Sequence, residues 1–145
     1  MKVFFDSSVL IAALLSSSGA SAKILAFCEA DLLDGCVSEE VIDEVYEVLE
    51  RKFPEIKENF ALLLDIVGFE KVSAGNKPLI KKAKEWIEDP DDVHVLVGAK
   101  VSKAEYLVTL DIKDFIRNEN VAKKSGLNIL TPAVFLQTVI EENFV

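Results

Sequence analysis

The chain has 145 residues, half of them apolar, with 25 acids, 16 bases and a net charge of −9. That length fits one domain over residues 1–145 with enough apolar side chains for a real core. The charge argues against broad, sequence-indifferent binding of nucleic acid, and no run approaches the roughly 20 apolar residues of a membrane span.

Lys2-Val3-Phe4-Phe5 is a short apolar run that suits a buried strand, and Asp6 ends it. An acid so early interrupts any signal-peptide core, so a cytoplasmic protein is expected. Val9 to Leu15 reads as a helix broken by Ser16-Ser17-Ser18-Gly19, and Ala20 to Ala30 as a second. Cys28 and Cys36 lack a metal-ligand spacing and are expected to be reduced thiols. Cys36-Val37 looks like the end of a second strand, and Ser38 then caps a helix running to about Lys52. Pro54 starts the next helix, which stops at Gly68. Glu70-Lys71-Val72 reads as a strand, Ser73 to Asn76 as a loop, and Pro78 to Glu88 as a helix with Trp86 and Ile87 on its apolar side. Asp89-Pro90-Asp91-Asp92 breaks the chain before a helix, Val93 to Ala104, that is apolar nearly all round and therefore buried. Tyr106 to Thr109 is a strand followed by Asp111, Asn128-Ile129-Leu130 is the last strand, and Thr131 caps a final helix with Pro132 in its first turn.

Strands alternating with helices predict an α/β fold, a three-layer α/β/α sandwich with a mostly parallel sheet of about five strands. In such sheets ligands bind beyond the carboxyl ends of the strands. Acids at strand ends therefore carry the functional reading. The single histidine, His94, leaves little room for His-based zinc sites or for Ser-His-Asp and Cys-His mechanisms.

Taken alone, Asp6 reads equally as a helix cap and Asp111 as a turn acid. Two independent strands each ending in Asp is the coincidence those readings do not predict. Glu44 lies nearest the border of the apolar face Val41, Ile42, Val45, Val48 and Leu49, with Glu40 close behind it as a reserve. Asp92 opens the buried helix, where Gly98 and Ala99 allow close approach to the strands. Asp89 and Asp91 are placed to cap or tune it. Asp114, three residues past Asp111, can bind metal with it or hold a water ligand.

Several carboxylates in one dry pocket would protonate unless a cation joined them. Oxygen-only ligands suit Mg²⁺ or Mn²⁺ rather than Zn²⁺. Two such ions among four carboxylates are roughly neutral and themselves attract phosphate, so the acidic total does not exclude a nuclease.

The motifs Val3-Phe4-Phe5-Asp6-Ser7-Ser8, Ser38-Glu39-Glu40-Val41-Ile42-Asp43-Glu44, Asp89-Pro90-Asp91-Asp92, Tyr106 to Phe115 and Ile129 to Leu136 fall in the order found in the PIN domain nucleases, including VapC-type toxins, which the whole chain resembles. The resemblance implies hydrolysis of single-stranded RNA with Mg²⁺ or Mn²⁺, frequent homodimers and, for a toxin, a small antitoxin partner. It assigns Asp6, Glu44, Asp92 and Asp111 as core acids, Asp114 as an additional one, and Ser7 and Thr109 as supporting hydroxyls. Ser8 stands where the family often has Asn. Lys23, Lys100, Lys103, Lys113 and Arg117 are candidates to meet RNA phosphates or plain surface cations. A non-catalytic RNA- or protein-interaction domain of the same fold is the alternative. A receiver-like, Mg²⁺-binding signalling module is a further alternative that ranks well below the nuclease, because it wants an acid pair early and a Lys directly after a later strand.

Overall fold

The computed structural model describes residues 1–144. Its strands are β1 (Lys2–Phe5), β2 (Asp34–Ser38), β3 (Glu70–Val72), β4 (Tyr106–Val108) and β5 (Asn128–Leu130). They form one sheet in the order β3-β2-β1-β4-β5, and every pairing is parallel. Val3, Phe4 and Phe5 have no exposed surface, as expected for a central strand covered on both faces. The helices are α1 (Ser7–Leu15), α2 (Ala20–Glu29), α3 (Glu39–Lys52), α4 (Lys57–Val67), α5 (Lys77–Ala83), α6 (Val93–Val101), α7 (Glu119–Ser125), α8 (Pro132–Phe135) and α9 (Glu141–Phe144). The result is the α/β/α sandwich that the alternating pattern predicts.

Local chemistry sets the element ends. The Ser38 hydroxyl accepts the Val41 N–H at 3.1 Å and caps α3. Glu39 and Glu40 occupy the first turn of α3 and Arg51 and Lys52 the last, matching the helix dipole. Gly68 ends α4 in the left-handed conformation (φ 68°).

Four segments depart from the pattern reading. The helix expected to reach Glu88 stops at Ala83, and a tight turn carries Trp86 and Ile87. Asp89 precedes a proline and so disfavours helix. Its Oδ1 instead accepts the Asp91 N–H at 2.9 Å and opens a 3₁₀ turn over Pro90–Asp92. The buried helix ends at Val101 rather than Ala104, because Lys103 turns left-handed (φ 61°) and delivers the Glu105 N–H to the Lys2 carbonyl. Finally, π-helical turns occupy Ile112–Ile116 and Leu136–Ile140, where no periodicity announces them.

Close approach of α6 to β1 is built into Gly98. A Cβ there would lie 2.6 Å from the Phe4 ring, so only glycine admits the ring. Cys28 and Cys36 are free, buried thiols, each pushed up to about 12, chiefly by burial. Among the described residues no single helix is long and apolar enough to cross a membrane.

Strand order fixes where a site can form. The chain runs outward from β1 through β2 to β3, then crosses to β4 on the other side of β1. The sheet's switch point therefore lies between the carboxyl ends of β1 and β4, the crevice where such sheets bind ligands.

Candidate functional site

Asp6 leaves β1 at that switch point. Its backbone N–H donates to the Val108 carbonyl at 3.1 Å, continuing the β1–β4 ladder by one residue. The side chain is 7% exposed, and four donors surround it. Oδ1 accepts the Ser7 N–H at 2.7 Å, and the Ser7 hydroxyl, whose one proton is shared with Glu44, lies 3.4 Å away. Oδ2 accepts the Thr109 hydroxyl at 2.7 Å and the Ser8 hydroxyl at 3.4 Å. Thr109 is fully buried opposite Asp6 because Phe5 pairs with Val108. Burial raises the Asp6 pKa, the Thr109 hydrogen bond opposes that, and nearby Glu44 adds to it.

Ser7 joins two acids. Its hydroxyl also reaches Glu44 Oε1 at 3.0 Å, bringing α3 against the start of α1. The other Glu44 oxygen lies 3.0 Å from His94 Nε2. That bond, ahead of opposing burial and a further contribution from Ser7, holds Glu44 below the usual glutamate range. For His94, burial disfavours the proton, but Glu44, Asp6 and Glu40 outweigh it and raise the pKa. Glu40 is engaged elsewhere, its carboxylate accepting the Ala74 N–H at 2.9 and 3.3 Å. Of the two α3 candidates, Glu44 is thus the one linked to Asp6.

A second group of acids faces this pair. Oxygens of Asp89, Asp92 and Asp114 lie within 4.8 Å of one another. Asp92 Oδ2 is buried and has no hydrogen-bond partner among the described residues. Burial first, then the charges of Asp111, Asp89, Asp114 and Asp6, push the Asp92 carboxyl up to about 7. Asp111 plays a different part in this geometry. Its N–H donates to the Thr109 hydroxyl at 3.1 Å, and its Oδ1 accepts the Asp114 N–H at 2.9 Å. Asp111 therefore caps the π-helical turn that swings Asp114 into the trio.

The structure thus gathers Asp6, Glu44, Asp89, Asp92, Asp111 and Asp114 around the β1–β4 edge, leaves Glu40 and the exposed Asp91 outside the cluster, and gives Asp89 a place among the acids besides its cap. His94 is the residue the sequence reading passed over. Its signal was the spacing: two residues after Asp92, on the helix turn that faces α3. Ser8, in place of the family's Asn, reaches Asp6 and also accepts the Leu110 N–H at 3.2 Å, tying α1 to the end of β4. Lys100 donates to the Ser125 carbonyl at 2.8 Å, and Lys103 lies beside the start of β1, at the opposite sheet edge.

The donor set fits a divalent cation. A buried carboxylate oxygen without a partner, among two further carboxylates within ligand reach, is what an oxygen-coordinated Mg²⁺ or Mn²⁺ would satisfy. Beside the acids lies an open cleft of ≈ 690 Å³ between α3 and the Pro90–Asp92 turn. Its lining carries the acids Glu40, Asp43, Glu44, Glu47, Asp91 and Asp92 against one cation, Arg51.

An acid cluster at the switch point of a parallel α/β/α sandwich defines the class of this protein. Residues 2–113 match the family model described as PIN domain, and the chain belongs to the PIN domain family. Among solved structures, it is similar to a chain in the crystal structure of VapBC2 from Rickettsia felis bound to a DNA fragment from their promoter. The TM-score is 0.67 at 18% identity, over 90% of this chain and 98% of that one. At that identity the likeness concerns the fold. No curated protein matches the chain in sequence.

Proposed function

We propose that the protein is a Mg²⁺- or Mn²⁺-dependent ribonuclease that hydrolyses phosphodiester bonds of single-stranded RNA. The observation that carries this reading is the partnerless, buried Asp92 Oδ2 beside Asp89 and Asp114 at the sheet's switch point. Asp92, Asp114 and Asp89 would hold the cation, with Asp6, Glu44 and Asp111 completing its surroundings. Such a cation supplies an activated water and positive charge for the phosphate oxygens. The chain's own hydroxyls do the positioning. Thr109 and Ser7 hold the Asp6 carboxylate in one rotamer, and Ser7 with His94 holds Glu44. In the reaction a water oxygen bonds to phosphorus, one ester P–O bond breaks, and the departing oxygen gains a proton. RNA as the substrate, and a single strand in particular, follow from the family resemblance.

A homodimer and a small antitoxin-type protein partner belong to the same reading: the homodimer follows from the family resemblance, and the partner is supported by the fold's likeness to a chain of VapBC2. Light scattering of the isolated protein tests the dimer.

The deciding experiment is cleavage of a mixed pool of single-stranded RNAs in Mn²⁺ or Mg²⁺, beside Asp6→Asn. Cleavage by the wild type, with a loss of at least about 100-fold in the variant, is expected, the size typical of losing an electrostatic catalytic group. Equal cleavage by the variant, or none by wild type, rejects the proposal.

A further inference from the structure

The acid trio stands between two depressions of different charge. On one side is the α3 cleft, with six acids and one cation. On the other side, two adjoining hollows of ≈ 460 and ≈ 400 Å³ share Glu88, Asn118 and Asn120 and lead away from Asp114. Together they form a trough that carries Lys113 and Arg117 beside Asp114 and Lys84 and Lys124 further out. These four cations are all exposed, and among the described residues none is within ion-pairing distance of an acid. Four acids also line the trough, Glu85, Glu88, Asp114 and Glu119, so it is balanced where the α3 cleft is strongly negative. Trp86, the chain's only tryptophan, lies half-buried in its wall, held by the tight turn after α5.

We infer that this trough is the path of the RNA strand on one side of the scissile phosphate, with Lys113 and Arg117 against backbone phosphates and Trp86 stacked on a base. The inference rests on the ribonuclease reading and adds a direction to it. A phosphate chain leaving the acids along α3 meets Glu40, Asp43, Glu47 and Asp91 against Arg51 alone. One leaving past Asp114 meets four exposed cations that offset the acids there, two side-chain amides and an aromatic ring, the parts from which single-strand platforms are made. The π-helical turn makes this arrangement: it aims Asp114 at the trio while Lys113 and Arg117 line the trough.

Because Trp86 is the sole tryptophan, its emission reports on the trough alone and needs no turnover. The probe is a single-stranded RNA 12-mer, titrated into the Asp6→Asn protein with Mg²⁺ present. Saturable quenching is expected. Lys113→Ala with Arg117→Ala should weaken binding about 5- to 20-fold and reduce the slope of log Kd against log salt by about 0.7 per cation removed. In wild type the same pair should raise KM more than it lowers kcat, while Lys103→Asn, at the opposite edge, changes neither. Quenching in a protein that cuts no RNA would keep the trough and reject the nuclease. Cleavage with unchanged Trp86 emission, and with KM unaffected by the double variant, would reject the trough and keep the nuclease. Equal quenching by a poly-glutamate peptide would reject the RNA assignment, since charge alone would then suffice.

Discussion

Asp92 concentrates the electrostatics of the site in one carboxyl. Burial and four neighbouring acids move its pKa from 3.8 to about 7. Between those values the folded chain holds a proton that the unfolded chain has released. The folded state binds more protons there, so this residue makes stability fall as pH rises from about 4 to 7. In chelator the wild type should therefore melt lower at pH 8 than at pH 5 by more than Asp92→Asn does, with the variant the more stable at pH 8. Scanning calorimetry at the two pH values measures the difference between the two proteins, and identical slopes would sink this account. The position of Asp92 was legible in the sequence, as an acid opening an apolar helix. Its neighbours were less so. Asp89 reads as a cap, which it is, and its second role depends on a 3₁₀ turn that brings it back beside Asp92.

At the level of elements, period and capping gave most of the fold, because the long amphipathic α3 and the largely apolar β1 and α6 each have one way to be buried. What the pattern could not give were the short irregular pieces. A single π-helical turn has no repeat to detect, yet Ile112–Ile116 decides that Asp114, rather than Asp111, joins Asp89 and Asp92. The α6–β1 contact can be tested directly. Gly98→Ala puts a methyl carbon into the fully buried Phe4 ring at 2.6 Å, a distance real contacts do not reach. The expected cost is about 1–3 kcal/mol from overpacking, read from urea unfolding. Phe4→Leu should relieve part of it in a double-mutant cycle, and strict additivity of the two changes would show that the ring is not what Gly98 makes room for.

Across the whole molecule, the parallel sheet places acids from separate segments at one edge, and among the described residues no histidine or cysteine joins Asp89, Asp92 and Asp114 to share the charge by neutral ligation. Asp6 is compensated by the Ser7 N–H and the Thr109 and Ser8 hydroxyls, and Glu44 by the Ser7 hydroxyl and His94, but among the described residues Asp92 has neither donor nor cation of its own. The apo fold therefore carries an internal repulsion that divalent metal would remove. A ligand that binds only the folded chain stabilises it by about 2.7 kcal/mol at a hundredfold excess over Kd, which amounts to several degrees in a domain of this size. Adding Mn²⁺ at pH 7.5 should accordingly raise the melting temperature, and chelator should reverse the rise. Asp92→Asn should lose most of this response, although its own apo form is the more stable of the two. That inversion separates a metal site from a general effect of salt: screening would raise both proteins alike, and Na⁺ at equal ionic strength would reproduce it. Metal binding should also release protons below pH 7, where apo Asp92 is protonated, and far fewer above pH 8. A wild-type melting temperature indifferent to Mn²⁺ would mean that the acids tolerate one another by protonation alone, and the metal-dependent reading of the site would fail with it.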